Sequence, residues 1–331
     1  MERRTLGKSG VVVSPIGVGL AALGRPGYIN LGHAQDLERQ YDPPAMEARA
    51  HAVLDAAWAA GVRYFDAARS YGRAESFLST WLASRRIAPR AVSVGSKWGY
   101  TYTADWHVVA ERHEVKDHSL ATLRRQLAES RALLGAHLGL YQIHSATLDS
   151  GVLDDAAVLE ELARWRATGL AIGVTLSGAR QSETLKRAMD VVVARQALFG
   201  VVQATWNLLE PSVGPVLQAA HAAGMGVIVK EPLANGRLTA RNDDPAFAPR
   251  RRTLEAVAAR LHTTVDALAI AAVLAQPWAD VVLSGAAAAD QLRSNAAALD
   301  VAWDADAADR LREIVEPAEE YWATRGRLAW N

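Results

Sequence analysis

The chain has no cysteine among its 331 residues, which excludes a disulfide framework, a thiolate metal site and a thiol nucleophile. It has no excess of charge: 36 Lys and Arg balance 36 Asp and Glu, so no basic surface argues for nucleic acid or an anionic membrane as partner. No apolar run is long enough to span a bilayer, and Ala267 to Ala275 falls well short. Met1-Glu2-Arg3-Arg4 is charged, but the apolar run that a signal peptide requires does not follow it. The expectation is a soluble, cytoplasmic protein. A glycine-rich dinucleotide fingerprint is missing too. Gly17-Val18-Gly19 has no third glycine and leads into a Pro/Gly loop rather than a helix, which disfavours an open doubly wound sheet.

What the chain does have is apolar content, half of its residues, ample for a sizeable core. Arg3 to Ser14 reads as a hairpin around a Gly-containing turn, and Pro15 to Leu20 as a buried strand. Residues 21–44 crowd glycines and prolines into a long loop. An alternation then begins. Helical patterns over 47–60, 74–84, 117–134, 155–168, 180–190, 213–223 and 290–299 separate apolar strands over 63–67, 92–97, 139–144, 171–176, 201–206, 226–231 and 281–284. Two more helical stretches, 253–261 and 264–275, precede the last strand, and a tail helix covers 304–315. The strands are short and apolar rather than alternating, as in a parallel sheet covered on both faces. Eight such units predict a (β/α)8 TIM barrel, one domain over residues 1–331, with an N-terminal β-hairpin and extra C-terminal helices and tail.

In that fold the C-terminal ends of the strands share one mouth, where enzymes of this architecture place their sites. Asp66, Lys97, His144, Thr175, Gln203, Lys230 and Ser284 fall at or near such ends, with Tyr71 on the loop after Asp66. These residue types suit carbonyl reduction, which needs a hydride donor and a proton donor at the oxygen. A phenol has a free pKa of about 10, and a cation beside it lowers that value. Lys97 is expected to act so on Tyr71, Asp66 to hold Lys97, and His144 to orient the substrate oxygen. Taken singly, Asp66 and Lys97 read equally well as a structural ion pair, and Tyr71 and His144 more readily as packed side chains. Their co-occurrence at consecutive strand ends is what points to a site.

Phe65-Asp66-Ala67-Ala68-Arg69-Ser70-Tyr71-Gly72, then Ser96-Lys97, then Tyr141-Gln142-Ile143-His144 resemble the aldo-keto reductases, and the resemblance runs from the hairpin to about Leu299. It implies Tyr71 as general acid/base, tuned by Lys97 and Asp66, with His144 on the substrate carbonyl. It also implies NAD(P)(H) bound in extended form across the barrel mouth, NADP(H) by family default with NAD(H) possible, and no metal. Gln203-Ala204-Thr205-Trp206-Asn207 resembles the family's strand-6 motif, with Gln203 on the carboxamide and Trp206 stacked on the nicotinamide. Thr175-Leu176 stands where many members have Ser-Asn, so the hydroxyl is kept and the amide is lost. Pro232, Leu233, Asn235, Gly236 and Leu238 resemble the pyrophosphate loop. Ser284, Gly285 and Ala286, with Gln291 and Asn295, resemble the adenosine segment. NADP-preferring members usually carry a basic or hydroxyl residue just after that glycine; here four alanines follow, and Arg293 is the nearest cation.

The loops set the substrate expectation. Trp98, Tyr100 and Trp106, with Tyr28 from the first loop, offer aromatic faces beside polar neighbours, which suit a sugar-derived or aromatic aldehyde or ketone. The tail 319–331 is placed to fold over the mouth. Two other readings compete. A cofactor-binding regulatory subunit of the same fold would need no turnover, and the intact quartet argues against it. A metal-dependent barrel enzyme lacks support, because His107 and His113 stand six apart on a loop without a paired carboxylate.

Overall fold

The computed structural model describes residues 1–331. Eight parallel strands close into a barrel in chain order. They are β1 (Ile16–Gly19), β2 (Tyr64–Asp66), β3 (Ser93–Trp98), β4 (Leu138–Ala146), β5 (Ala171–Leu176), β6 (Val201–Thr205), β7 (Gly226–Lys230) and β8 (Val281–Ser284). Pairing of Val18 with Ser284 joins the last strand to the first and closes the ring. Most of the core lies between the strands and the surrounding helices. A smaller cluster fills the barrel's interior: Tyr64, Leu140, Val201, Ile228, Val281 and Leu283 point inward and meet Leu6, Val11 and Val13 of the N-terminal hairpin. That hairpin pairs Arg4 with Val13 and Thr5 with Val12, so it plugs one end and leaves the mouth at the other.

The helices between the strands are α1 (Pro43–Ala59), α2 (Ala74–Ser84), α3 (Leu120–Leu134), α4 (Ala156–Ala167), α5 (Gln181–Met189) and α6 (Gly214–Ala222). Then come α7 (Ala248–Arg260), α8 (Val265–Leu274), α9 (Ala289–Ala296), α10 (Ala305–Leu311) and α11 (Ala318–Gly326). Local chemistry sets their starts. The Asp42 carboxylate accepts from Ala45 N, and Pro43 and Pro44 occupy the first turn of α1, where prolines lose no hydrogen bond. The first loop therefore ends two residues earlier than its prolines suggest. Asp155 and Ser119 cap α4 and α3 in the same way.

Three elements differ from the sequence reading. Loop 98–116 contains an antiparallel pair, Tyr100–Tyr102 with Glu114–Lys116, whose Tyr-Thr-Tyr composition suits a strand. A second short hairpin pairs Val192–Val193 with Gln196–Ala197. The tail helix stops at Leu311, and Pro317 then opens a further helix, α11. No single helix is long and apolar enough to cross a membrane.

Candidate active site

Asp66 ends β2 and is buried, and four side chains converge on it. Its Oδ1 pairs with the Lys97 ammonium, which also donates to Ala67 O at 3.0 Å. Its Oδ2 accepts from Tyr64 Oη (3.1 Å), Gln203 Nε2 (3.0 Å) and Gln142 Nε2 (3.3 Å). The pair is almost wholly out of water, at 1% and 2% side-chain exposure. Such a pair persists only where its remaining hydrogen-bonding capacity is met, and here strands β2, β3, β4 and β6 meet it. Gly95 is needed for the geometry: a Cβ there would lie 2.3 Å from the Tyr64 hydroxyl.

The loop after β2 carries Tyr71. Its backbone is tied to β3 through Ala67 N to Gly95 O (2.9 Å) and Arg69 N to Lys97 O (3.2 Å). Arg69 donates to buried Glu75 at 2.6 Å, and Glu75 also accepts from Ser130 Oγ at 2.7 Å. Gly72, at φ +57°, lets the first loop close in, since a Cβ there would stand 2.4 Å from Gly24 O. The Tyr71 hydroxyl lies 3.4 Å from His144 Nε2, and Ser70 Oγ lies 3.4 Å from His144 Nδ1. Lys97 Nζ is 4.9 Å from the centre of the Tyr71 ring. The quartet read from the sequence thus stands together at the mouth.

The electrostatics differ from the expectation that Lys97 lowers the Tyr71 phenol. Burial pushes that phenol well above its ordinary value and the Asp66 charge adds to the rise, while Arg25 opposes it. Lys97 is matched by Asp66, so Tyr71 keeps its proton. Burial, with the charges of Lys97 and Arg25, holds His144 well below its ordinary value and keeps it neutral. A protonated phenol beside a neutral imidazole is a proton donor beside a hydrogen-bonding partner.

Above the quartet opens a cavity of about 560 Å3. Its rim near Tyr71 joins Tyr28 and the tail, both expected at the mouth, to charged residues that the sequence reading did not single out: Arg25, Glu114 and Glu231. The Arg25 guanidinium sits over the rings of Trp330 (4.8 Å), Tyr28 and Tyr71 (5.4 Å each), and donates to Ser70 O and Glu114 Oε2. Arg325 of α11 forms a bidentate pair with Glu231, next to the last residue of β7. Burial pushes Glu231 up, but Arg325 and Lys230 outweigh it and hold the carboxyl at about 2. Burial lowers Lys230 to about 8, and its Nζ donates to Thr205 Oγ1 at 2.6 Å. The tail reaches the rim: Tyr28 and Asn331 exchange backbone hydrogen bonds at 3.2 Å, and Trp330 stacks on His113 at 3.8 Å. For the charged members the sequence offers only two signals, an arginine beside Pro26 in the loop after β1 and an acid following Lys230.

Of the sequence-predicted residues, Tyr28, Gln203, Pro232, Leu233, Asn235, Gly236, Ser284, Gly285, Ala286, Gln291 and Asn295 line the cavity. The others do not. Trp206 follows β6 with the opposite parity to Gln203 and Thr205, and packs outward against Trp278 at 5.7 Å, beside Gly214. Asn207 is buried and structural, donating to Glu231 O and Tyr321 Oη. Thr175 accepts from Ser145 N at 2.7 Å, bracing a residue with φ +50° beside His144. Leu238 is core. Trp98 is fully buried against His118, and Trp106 anchors its loop through a 2.5 Å bond to Tyr41 O. Tyr100 packs edge-on against the His144 ring at 5.0 Å without lining the cavity. Arg293 lies on the exposed side of α9. No group of three or more His, Asp or Glu side chains is placed to hold a metal ion.

Comparison with known proteins adds to this geometry. The aldo/keto reductase family profile matches residues 15–316. The chain is 24% identical to pyridoxal 4-dehydrogenase of Microbacterium luteolum, over 89% of this chain and 92% of that protein. It is 25% identical to NADH-specific methylglyoxal reductase of Escherichia coli K12, over 96% and 100%. With D-threo-aldose 1-dehydrogenase of a Pseudomonas species it shares 30% identity over 57% of this chain and 61% of that one. Among solved structures, an aldo-keto reductase of Bacillus halodurans in its holo form superposes with a TM-score of 0.73 at 20% identity, over 97% of this chain and 99% of that one.

Proposed function

The chain belongs to the aldo/keto reductase family, and from that premise we propose that it is an NAD(P)(H)-dependent oxidoreductase interconverting a small polar carbonyl compound and its alcohol, with Tyr71 as the proton donor. The observation that carries this reading is the protonated Tyr71 hydroxyl 3.4 Å from a neutral His144, on a floor fixed by the Asp66–Lys97 pair.

The residues along the cavity fit a dinucleotide. Gln203, next to Asp66, and the wall formed by Ser284, Gly285, Gln291 and Asn295 line the same cavity. Asn235 Oδ1 is buried without a partner in the protein, and Gly236 adopts φ +89°. A Cβ on Gly285 would meet no protein atom within 4 Å, so glycine there leaves room at the wall. When bound, a reduced nicotinamide supplies the hydride.

The chain's own groups do the rest. Tyr71 Oη gives its proton to the carbonyl oxygen, or takes one from an alcohol in reverse. Neutral His144 hydrogen-bonds that oxygen and fixes its direction. Lys97 and Asp66 position the tyrosine loop. Arg25, Glu114, Glu231 and Arg325 present paired charges and Trp330 an aromatic face to the rest of the substrate, a combination suited to a hydroxylated, sugar-derived aldehyde or ketone. The activities named for the relatives, on pyridoxal, methylglyoxal and aldoses, support this class.

The test is consumption of a reduced dinucleotide with a panel of hydroxylated and aromatic aldehydes, for the native protein and for Tyr71→Phe. Removing the proton donor is expected to lower turnover by about a hundredfold or more, with dinucleotide affinity nearly unchanged. Full activity in Tyr71→Phe would overturn the mechanism. Dinucleotide binding without turnover on any carbonyl would favour a regulatory protein of this fold.

A further inference from the structure

We propose that Asp36 sets the dinucleotide preference of this site, selecting NAD(H), with its free adenosine 2′-hydroxyl, over NADP(H), with its 2′-phosphate; the inference rests on the oxidoreductase reading above. Asp36 closes a single helical turn, His33–Asp36, in the first loop. That turn is held by the segment after β7 and by the last residue of the tail. Leu31 N donates to Asn235 O at 3.0 Å, Arg241 Nη1 to Gly32 O at 3.2 Å, and Ala34 N to Asn331 Oδ1 at 3.1 Å. Asp36 therefore faces the adenosine wall from a fixed backbone.

Its carboxylate is half satisfied. Oδ1 accepts from Gln291 Nε2 at 2.8 Å and pairs with the Arg241 guanidinium. Oδ2 has no donor in the protein, although the side chain is only 2% exposed and Asp36 lines the cavity. A buried carboxylate oxygen without a donor is costly, and a ribose hydroxyl is a donor that this cavity can bring to it. An acidic side chain on the ribose 2′-hydroxyl is a general device of dinucleotide sites.

The surrounding charge opposes a phosphate. Asp266 and Asp290 line the same end of the cavity. The cation on that stretch of the lining is Arg241, already paired to Asp36, while Arg49 donates to Asp36 O from outside the lining. A phosphate monoester carries close to two negative charges at neutral pH and needs charge-assisted donors, and the alanines after Gly285 supply none.

Calorimetric titration of the full chain with NADH and NADPH at equal ionic strength tests this. The native protein is expected to bind NADH at least about tenfold more tightly. Asp36→Ser removes the negative charge and frees Arg241, so NADPH should tighten and NADH weaken, inverting or erasing the ratio. Asp36→Ser combined with Arg241→Ala should lose the NADPH gain. Asp36→Asn, which keeps the side-chain shape, guards against a folding defect, and circular dichroism checks each variant. Equal or tighter NADPH binding by the native protein would overturn the proposal and leave the oxidoreductase reading standing, as would an unchanged ratio in both Asp36 variants. Binding of neither dinucleotide would overturn both.

Discussion

Two buried aspartates line one cavity, and their surroundings are unlike. Asp66 sits at a strand end, and both its oxygens are occupied by side chains from β2, β3, β4 and β6. Asp36 sits on a loop turn; one oxygen is occupied from loop and helix, and the other has no partner. The first arrangement is closed on itself, so what it can do is hold its neighbours still. The second is open by one acceptor, so it can still take on a donor. In this barrel the strands supply the fixed floor and the loops an acceptor still open, the division expected when loop variation tunes a rigid scaffold.

Removing each carboxylate in turn tests that contrast most strongly. Asp66→Asn leaves the Lys97 ammonium buried without its counter-charge, which should cost about 3–5 kcal/mol of unfolding free energy, read from urea denaturation. Asp36→Asn should cost less than about 1 kcal/mol, since Arg241 is 42% exposed and can turn to water. Equal losses would mean that the two carboxylates play the same structural part.

Acid should act on both sites alike. Burial holds His33, beside Asp36, at about 4 and His144 well below its ordinary value. Both are neutral when folded, while the unfolded chain takes up protons below its histidine pKa of about 6.5. Stability is therefore complete above that value and falls as pH drops from there toward 4, by at most about 1.4 kcal/mol per pH unit for each histidine. His33→Phe, at a ring whose two nitrogens have no partner, should flatten the dependence of the urea midpoint on pH between 6.5 and 4. An unchanged slope would show that His33 already titrates normally. The smallest effect is expected at Trp206. Because it faces Trp278 rather than the cavity, Trp206→Phe should change dinucleotide affinity by less than about twofold; a large loss would place this ring in the site after all.

Much of the floor was legible in the sequence because a strand end fixes where a side chain goes. Asp66, Lys97 and His144 follow apolar runs, and the barrel topology brings such ends together. Tyr28 reached the mouth as expected, but the three tryptophan assignments failed, for a reason of the same kind. Residue type says that Trp98, Trp106 and Trp206 will be buried, but not against what; one step of parity turns Trp206 from the mouth to the helix layer. The rim was illegible because its partners are far apart in the chain. Arg25 meets Glu114 across 89 residues and Glu231 meets Arg325 across 94, and no local pattern encodes such pairs. The expected lowering of the Tyr71 pKa rests on a cation beside the phenol, and the Lys97–Asp66 pair removes that basis.

The distribution of indoles has a practical side. The chain carries ten tryptophans, and of these only Trp330 lines the cavity. A small molecule that quenches fluorescence by touching an indole, rather than by energy transfer over a distance, will report from that single residue when it fills the mouth. The protein thus contains its own optical probe, on the tail that reaches the cavity rim, and the other nine rings form a constant background against which occupancy can be followed in real time.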